Sequence, residues 1–169
     1  RDRSGFVNYT ELCYGLGVGN FTGEITYYSS ATNNYTAKNS ADYIRLTTVN
    51  GFALADGMVS TGIGLGVEYY YESEDLQLPI FADIRLIPLS GISPMVIVQG
   101  GYSVSVSGNA GSGMELAGGI GLDLPISKSS SFIFTLLYDY QKYSVTNESG
   151  YYVSKNEYDG GSVRLSLGF

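Results

Sequence analysis

The sequence predicts an all-β protein, an eight-stranded antiparallel up-and-down transmembrane β-barrel, with residues 1–169 as its single domain. Three observations support this prediction. Apolar and polar residues alternate with a period of two in eight segments, no segment between them has helical periodicity, and long connections alternate with short ones. The composition agrees, because 23 Gly, 16 Tyr and 7 Phe with only 15% charged residues are typical of a β-rich chain.

The strands are predicted from parity, that is, from whether apolar residues share odd or even positions along a segment. Successive residues of a strand face opposite sides of its sheet, so residues of equal parity lie on the same side. In the clearest segment, residues 59–71, one side carries Val, Ile, Leu and Tyr while the other carries mainly Gly, Ser and Glu. The segment 42–54 is weaker, because Thr48 and Asn50 interrupt its apolar side. The eight predicted segments, in chain order, are residues 5–18, 42–54, 59–71, 76–86, 94–106, 114–124, 132–141 and 163–169.

The connections between these segments predict a barrel with two different ends. The first connection, at about residues 19–41, is long and rich in Asn, Thr, Ser and Tyr, whereas residues 55–57 contain the Asp-Gly pair of a tight turn. Short turns are also predicted at 88–93 and 125–130. The connections 72–75, 107–113 and 143–160 fall at the same end as the first one, so we expect that end to carry the large loops.

The polar side of each strand decides which face points outward. A soluble ligand-carrying barrel, the alternative fold, would need Lys and Glu along that side for solubility, but the side is mainly Gly, Ser and Ala with isolated charges. Such a side suits the narrow interior of an eight-stranded membrane barrel. We therefore predict an interior polar network formed by Glu11, Arg45, Glu68, Asp83, Arg85, Gln99, Glu115, Asp123, Asp139, Gln141 and Arg164.

The composition excludes several function classes. The chain has no His, so it has no Ser-His-Asp triad and no histidine metal site, and we expect neither a metal nor another cofactor. Its net charge of −7 argues against a nucleic-acid partner. The remaining enzymatic hypothesis is acid-base catalysis by Glu68, Asp83 and Glu115. Because structural ion pairing is the more common role of such carboxylates, we expect that the protein is not an enzyme.

An acidic group follows the third predicted strand. It contains Glu72, Glu74 and Asp75. Hard cations prefer such oxygen ligands, but acidic groups of this kind are usually solvated loop charge. We expect the solvated form here.

The last residues carry a resemblance to a known group of proteins. Residues 161–169, GSVRLSLGF, resemble the C-terminal strand of bacterial outer-membrane barrels, whose apolar face and final Phe form the assembly signal; here that face is Val163, Leu165, Leu167 and Phe169. The whole chain resembles the small OmpA-type and OmpX/Ail-like barrels. The resemblance implies a Gram-negative outer membrane, periplasmic termini, extracellular long loops, and contact with lipid, lipopolysaccharide and the assembly machinery.

For function, the sequence favours interaction over chemistry. Tyr beside Ser, Gly and Asn makes an adaptable contact surface, and the candidate loop surface consists of Tyr27, Tyr28, Tyr35, Tyr151, Tyr152 and Tyr158. Alternatively, the strands extend beyond the membrane and these tyrosines pack among themselves or lie at the outer interface. We expect either a surface-loop binding or adhesion protein, or an accessory subunit of a larger envelope complex. A narrow porin-like pore and a soluble ligand-carrying barrel are the alternatives.

Overall fold

A computed structural model describes residues 5–26, 32–38, 41–89, 91–106, 111–127, 130–149 and 152–169. It contains ten strands: β1 (Gly5–Val18), β2 (Asn20–Thr26), β3 (Thr32–Lys38), β4 (Tyr43–Leu54), β5 (Val59–Tyr70), β6 (Asp75–Leu86), β7 (Ser93–Ser105), β8 (Gly113–Pro125), β9 (Ser131–Ser149) and β10 (Tyr152–Gly168). Strands β1 and β4–β10 form a closed antiparallel barrel, and β2 pairs with β3 in a separate two-stranded ribbon. The predicted eight-stranded up-and-down barrel is therefore confirmed. Among the described residues, no helix is long and apolar enough to cross a membrane.

The first barrel strand closes the sheet by pairing on both of its edges. Leu12 of β1 lies opposite Leu46 of β4 on one edge and opposite Leu167 of β10 on the other. The backbone N–H and C=O of Phe169 exchange two hydrogen bonds of 3.0 Å with Thr10. From Thr10 to Gly15 both edges of β1 are paired, which removes from this stretch the unpaired backbone groups that lipid cannot solvate.

Two connections that were predicted as loops contain strands. Strands β2 and β3 lie within the first connection, with β2 close to β10. Within the predicted loop 143–160, Ser144 to Ser149 pair with Glu157 to Tyr152 as a continuation of β9 and β10. Parity reveals a strand only where one side faces an apolar phase, so ribbons that project from a barrel leave little pattern in the sequence.

The barrel ends differ less in loop length than the sequence predicts. One end, the turn end, carries the connections β4–β5, β6–β7 and β8–β9, including a short 3₁₀ turn at Ala55–Gly57 where Asp56 takes the left-handed conformation (φ 56°). The opposite end carries both ribbons and is called the ribbon end. Its connection at residues 71–74 is as short as those of the turn end. Asp75 was predicted as solvated loop charge, but it begins β6 and is fully buried.

The two faces of the barrel have opposite polarity. Outward-facing Leu12, Ile63 and Leu116 are more than half exposed, whereas the interior holds buried arginines such as Arg45 and Arg85. This distribution is the reverse of a soluble protein and is the one that a barrel surrounded by lipid requires. It agrees with the predicted direction of the faces.

Phe81 is the bulky exception on the predicted polar side of β6, and the structure explains it. Its backbone pairs with Gly64 on one side and Gly101 on the other, so the ring lies over glycines that leave room for it. A Cβ built on Gly64 would clash with the Phe81 ring. The absence of a side chain at Gly64 is therefore a packing requirement rather than a matter of backbone freedom.

Substituting Gly64→Ala should destabilise the barrel by about 1–3 kcal/mol, because the Phe81 ring must leave its position in a filled interior. The matched control is Gly100→Ala on the outer surface, where the nearest atom to a new Cβ is Leu116 Cδ1 at 3.6 Å, an ordinary contact. Urea unfolding in lipid vesicles measures both free energies. Equal stability of the two variants would contradict this account of Phe81.

Candidate functional site

The candidate site is the charged interior of the barrel. Of the eleven residues predicted to form it, ten are buried in the structure: Glu11, Arg45, Glu68, Asp83, Arg85, Gln99, Glu115, Asp123, Asp139 and Arg164. Gln141 is half-buried. Three arginines, from three different strands, organise most of this set.

Arg45 on β4 binds two carboxylates on different strands. Its Nη1 lies 3.1 Å from Glu68 Oε2 on the adjacent strand β5, and its Nη2 lies 2.9 Å from Glu115 Oε1 on β8, across the lumen. The guanidinium group also stacks on the Phe81 ring at 4.8 Å from its centroid. Ser103 donates a further 3.0 Å hydrogen bond to Glu115. The arginine thus links two strands that do not pair.

Arg85 on β6 makes the second cluster, which also crosses the lumen. It binds Asp83 on its own strand through Nε at 2.8 Å and Nη2 at 3.1 Å, and it binds Glu11 on β1 through Nη1 at 2.6 Å. The Tyr9 ring covers the guanidinium carbon at 4.1 Å. Ser166 donates a 3.1 Å hydrogen bond to Glu11. Both carboxylates are thereby held against one cation.

Arg164 on β10 forms the third cluster and is joined to the second. Its Nη2 lies 3.2 Å from Asp139 on β9 and 2.5 Å from the side-chain oxygen of Gln99 on β7. The amide nitrogen of Gln99 donates a 2.7 Å hydrogen bond to Asp83. Gln99 therefore connects the Arg85 and Arg164 clusters into one hydrogen-bonded network.

Several interior residues were not predicted from the sequence. Tyr43 donates a 2.6 Å hydrogen bond to Asp139, and Tyr70 donates a 2.7 Å hydrogen bond to Gln141. Asp75 accepts hydrogen bonds of 3.0 Å from Gln77 and from Ser105. A tyrosine at an inner-parity position is the signal that could have indicated these residues, because a buried Tyr hydroxyl needs a partner.

The interior near the turn end is apolar, which the sequence analysis also missed. Five buried side chains form this apolar cluster: Ile87, Met95, Ile97, Ile133 and Leu137. Consecutive apolar residues such as Met95-Val96-Ile97-Val98 carry the signal, since a strand that is apolar on both sides shows no alternation. Tyr9 packs against the cluster and also covers Arg85, so it lies between the apolar and charged halves of the interior.

The carboxylates that were considered for acid-base catalysis take part in ion pairs. Glu68, Asp83 and Glu115, the carboxylates considered for acid-base work, each lie in an ion pair with a buried arginine. Within the part of the chain that the structure describes, no group of three or more His, Cys, Asp or Glu side chains could hold a metal ion. Asp123 is buried at the turn end, where β8 pairs with Ser93.

The remaining predicted residues lie on the outside of the barrel or beyond the described chain. Leu165, Leu167 and Phe169 point outward and are exposed, and Val163 on the same face is half-buried, while their role as an assembly signal stays a prediction. Of the loop tyrosines, the backbone places Tyr35 on β3 and Tyr152 and Tyr158 on β10; Tyr27, Tyr28 and Tyr151 lie outside the described residues.

Comparison with known proteins confirms the fold. The structure is similar to the crystal structure of Neisserial surface protein A (NspA), an eight-stranded outer-membrane barrel, with a TM-score of 0.52 and 8% sequence identity over 95% of this chain and 98% of that chain. No protein-family model matches the chain, and no curated protein matches its sequence. At this identity the similarity supports the architecture of a small outer-membrane barrel.

Removing one arginine tests whether the network stabilises the barrel. Arg45→Leu should cost about 3–5 kcal/mol, because Glu68 and Glu115 then remain buried without their cation. The matched control is Lys38→Leu, which removes the same charge from an exposed position on β3 and should change little. Denaturant unfolding in vesicles measures both effects.

A triple variant separates the charge effect from the loss of packing. Adding Glu68→Gln and Glu115→Gln to Arg45→Leu should recover part of the lost stability, because the uncompensated charges are gone. A triple variant less stable than Arg45→Leu alone would contradict the proposed pairing.

Proposed function

We propose that this protein is a non-enzymatic barrel of a Gram-negative outer membrane that acts by binding a partner at its ribbon end. The observation that carries the proposal is the continuation of β9 and β10 beyond the barrel. Tyr143 still lies opposite Gly113 of β8, but from Ser144 to Ser149 strand β9 pairs with β10 alone. These six residues extend the ribbon by about 20 Å at about 3.3 Å per residue.

The ribbon end offers an ordered surface rather than isolated loops. The β9–β10 ribbon comprises residues 144–149 and 152–157, and β2 of the second ribbon lies close to β10. Paired strands lose less conformational entropy on binding than a flexible loop does, which favours recognition. Strands that project beyond the barrel in this way favour contact with a partner outside the membrane.

Tyrosine supplies the chemistry of this surface. Tyr35 lies on β3, and Tyr152 and Tyr158 lie on β10, among Ser, Asn and Thr. Tyr provides a large contact area with few rotatable bonds, and the small polar residues provide adaptable hydrogen bonds. The suitable partners are a host surface, a glycan or a neighbouring envelope protein. If the partner is a large envelope protein in fixed stoichiometry, this chain is its accessory subunit.

The alternatives are less compatible with the described interior. A narrow pore needs a continuous polar path, whereas the interior holds both buried arginine clusters and a buried apolar cluster. A soluble carrier needs a polar outer surface, whereas the outer side chains are apolar and exposed. Outer-membrane lipid and lipopolysaccharide are the partners that such a surface fits, and the assembly machinery is the expected route into the membrane.

The orientation belongs to the proposal as well. Barrels of the outer membrane have short turns on the periplasmic side and their larger structures outside. The ribbon end is accordingly extracellular, and both ends of the chain, which lie towards the turn end in β1 and β10, are periplasmic.

Shortening the ribbon tests the function directly. Residues 144–157 are replaced by an Asn-Gly turn, which leaves the barrel pairs of β9 and β10 in place. The tagged full chain, the shortened variant and the Gly100→Ala control are extracted in mild detergent, purified, and analysed by mass spectrometry for co-purified proteins and glycans. We expect a partner with the full chain and the control that is lost with the shortened variant. A partner retained by all three contradicts binding at the ribbon.

Cysteine labelling tests the orientation. In intact cells, Ser73→Cys at the ribbon end should react with a membrane-impermeant maleimide, whereas Asp56→Cys at the turn end should react only after the outer membrane is opened. The native chain is the control, because its Cys13 is buried inside the barrel. Labelling of Asp56→Cys alone in intact cells would reverse the assigned orientation.

A further inference from the structure

A polar patch interrupts the apolar outer wall of the barrel. Four side chains on two neighbouring strands form this polar patch: Asn8 and Thr10 on β1, and Thr48 and Asn50 on β4. Asn8 lies directly opposite Asn50, and Thr10 lies directly opposite Thr48. Both asparagines are exposed and both threonines are half-buried.

Along β1 and β4, apolar residues follow the polar patch in both directions. On these strands the next outward pair towards the ribbon end is Leu12 and Leu46, and the next towards the turn end is Phe6 and Phe52, whose rings pack at 6.2 Å. Farther towards the ribbon end, Tyr14 packs near Tyr71 at 6.5 Å. The polar patch is therefore flanked by exposed apolar residues on both sides along the strands.

The neighbours around the barrel are apolar too. Ile63 and Leu65 of β5 lie opposite Asn50 and Thr48, and both are more than half exposed. On the other edge, Phe169 bonds to the backbone of Thr10 and is 66% exposed, and among the described residues β10 does not continue beside Asn8. An isolated group of amides and hydroxyls facing hydrocarbon is unfavourable unless its hydrogen bonds are satisfied.

The hydrogen bonds within the polar patch are incomplete. The Asn8 amide nitrogen donates to Asn50 Oδ1 at 2.9 Å and to Thr48 Oγ1 at 3.0 Å, and Thr10 donates to Asn8 Oδ1 at 3.3 Å. Among the described residues, none accepts a hydrogen bond from Nδ2 of Asn50, although an amide nitrogen has two protons to donate. The exposed Asn50 amide nitrogen thus has no acceptor within the part of the chain that the structure describes.

We infer that the polar patch is the centre of a homodimer interface within the membrane, with a second copy of this chain as its occupant. A partner must present polar groups at the same depth in the membrane. A second copy inserted in the same direction meets this condition because its own polar patch lies at that depth. A two-fold axis along the membrane normal places equal patches against each other. Two Asn50 amides are self-complementary, since each carries free donors and acceptor lone pairs, and the surrounding Leu and Phe side chains supply the apolar contact.

This inference rests on the membrane location in the proposed function, but not on binding at the ribbon end. The test uses the full chain refolded into phosphatidylcholine vesicles, with donor and acceptor dyes on Ser73→Cys. Energy transfer that rises with the protein-to-lipid ratio is the expected result for the otherwise unchanged chain. The double variant Asn8→Leu/Asn50→Leu should associate about tenfold more weakly. Polar contacts between membrane-spanning segments have effects on association of about this magnitude.

Two controls keep the result specific. Val98→Thr is a nearly isosteric change on β7, on the opposite wall, and should leave the energy transfer unchanged. Heat-modifiable migration in gels checks that every variant is a folded barrel. Independently, oxidation should crosslink chains carrying Leu46→Cys beside the polar patch, and should not crosslink chains carrying Val98→Cys.

The outcomes distinguish the two proposals. A folded, inserted chain without energy transfer at any ratio overturns the dimer and leaves the ribbon-end function intact. Energy transfer that persists in the asparagine variant also overturns the polar patch as the interface. A chain that does not enter vesicles overturns the membrane location and the dimer together.

Discussion

Three buried guanidinium groups impose the strictest requirement on this barrel. A charge in a narrow lumen surrounded by lipid must be matched closely, because water is scarce there and an unmatched charge costs several kcal/mol, on the order of 3–5. Arg45 meets this requirement with Glu115 of β8, and Arg85 meets it with Glu11 of β1. Both contacts cross the lumen, so they join strands that share no backbone hydrogen bonds. The barrel wall is held by the strand pairs, while the interior is held by these ion pairs.

The need to match the three buried arginines also explains where small residues and aromatic rings occur in the interior. A lumen that holds three arginines and their acids has no room for large side chains everywhere, and glycine provides that room where the Phe81 and Tyr43 rings cross neighbouring strands. The apolar cluster around Ile97 and Leu137 completes the filling at the turn end. Both surfaces that we propose for binding lie outside this interior.

Two such surfaces differ in kind. The ribbon end extends backbone pairs beyond the barrel, where water satisfies polar groups and tyrosine provides contact area. The polar patch around Asn8 and Asn50 lies on the outer wall, where its side chains bond partly to one another. The two proposed contacts involve different surfaces of the barrel and can therefore form independently.

The sequence by itself determined the eight barrel strands and the direction of their faces, because the alternation of apolar and polar residues is a local property that any strand between lipid and lumen must show. It identified Arg45, Arg85 and Arg164 and their acids as interior residues for the same reason. The tertiary structure alone decided which acid meets which arginine, since Glu11 and Arg85 lie far apart in the chain and are joined by the stagger of the closed sheet. It also decided that Asp75 is buried, that residues 144–149 and 152–157 continue two strands, and that Thr48 and Asn50 meet Asn8 and Thr10. Neighbours across strands depend on register, and register is fixed by the closure of the whole barrel rather than by any segment of it.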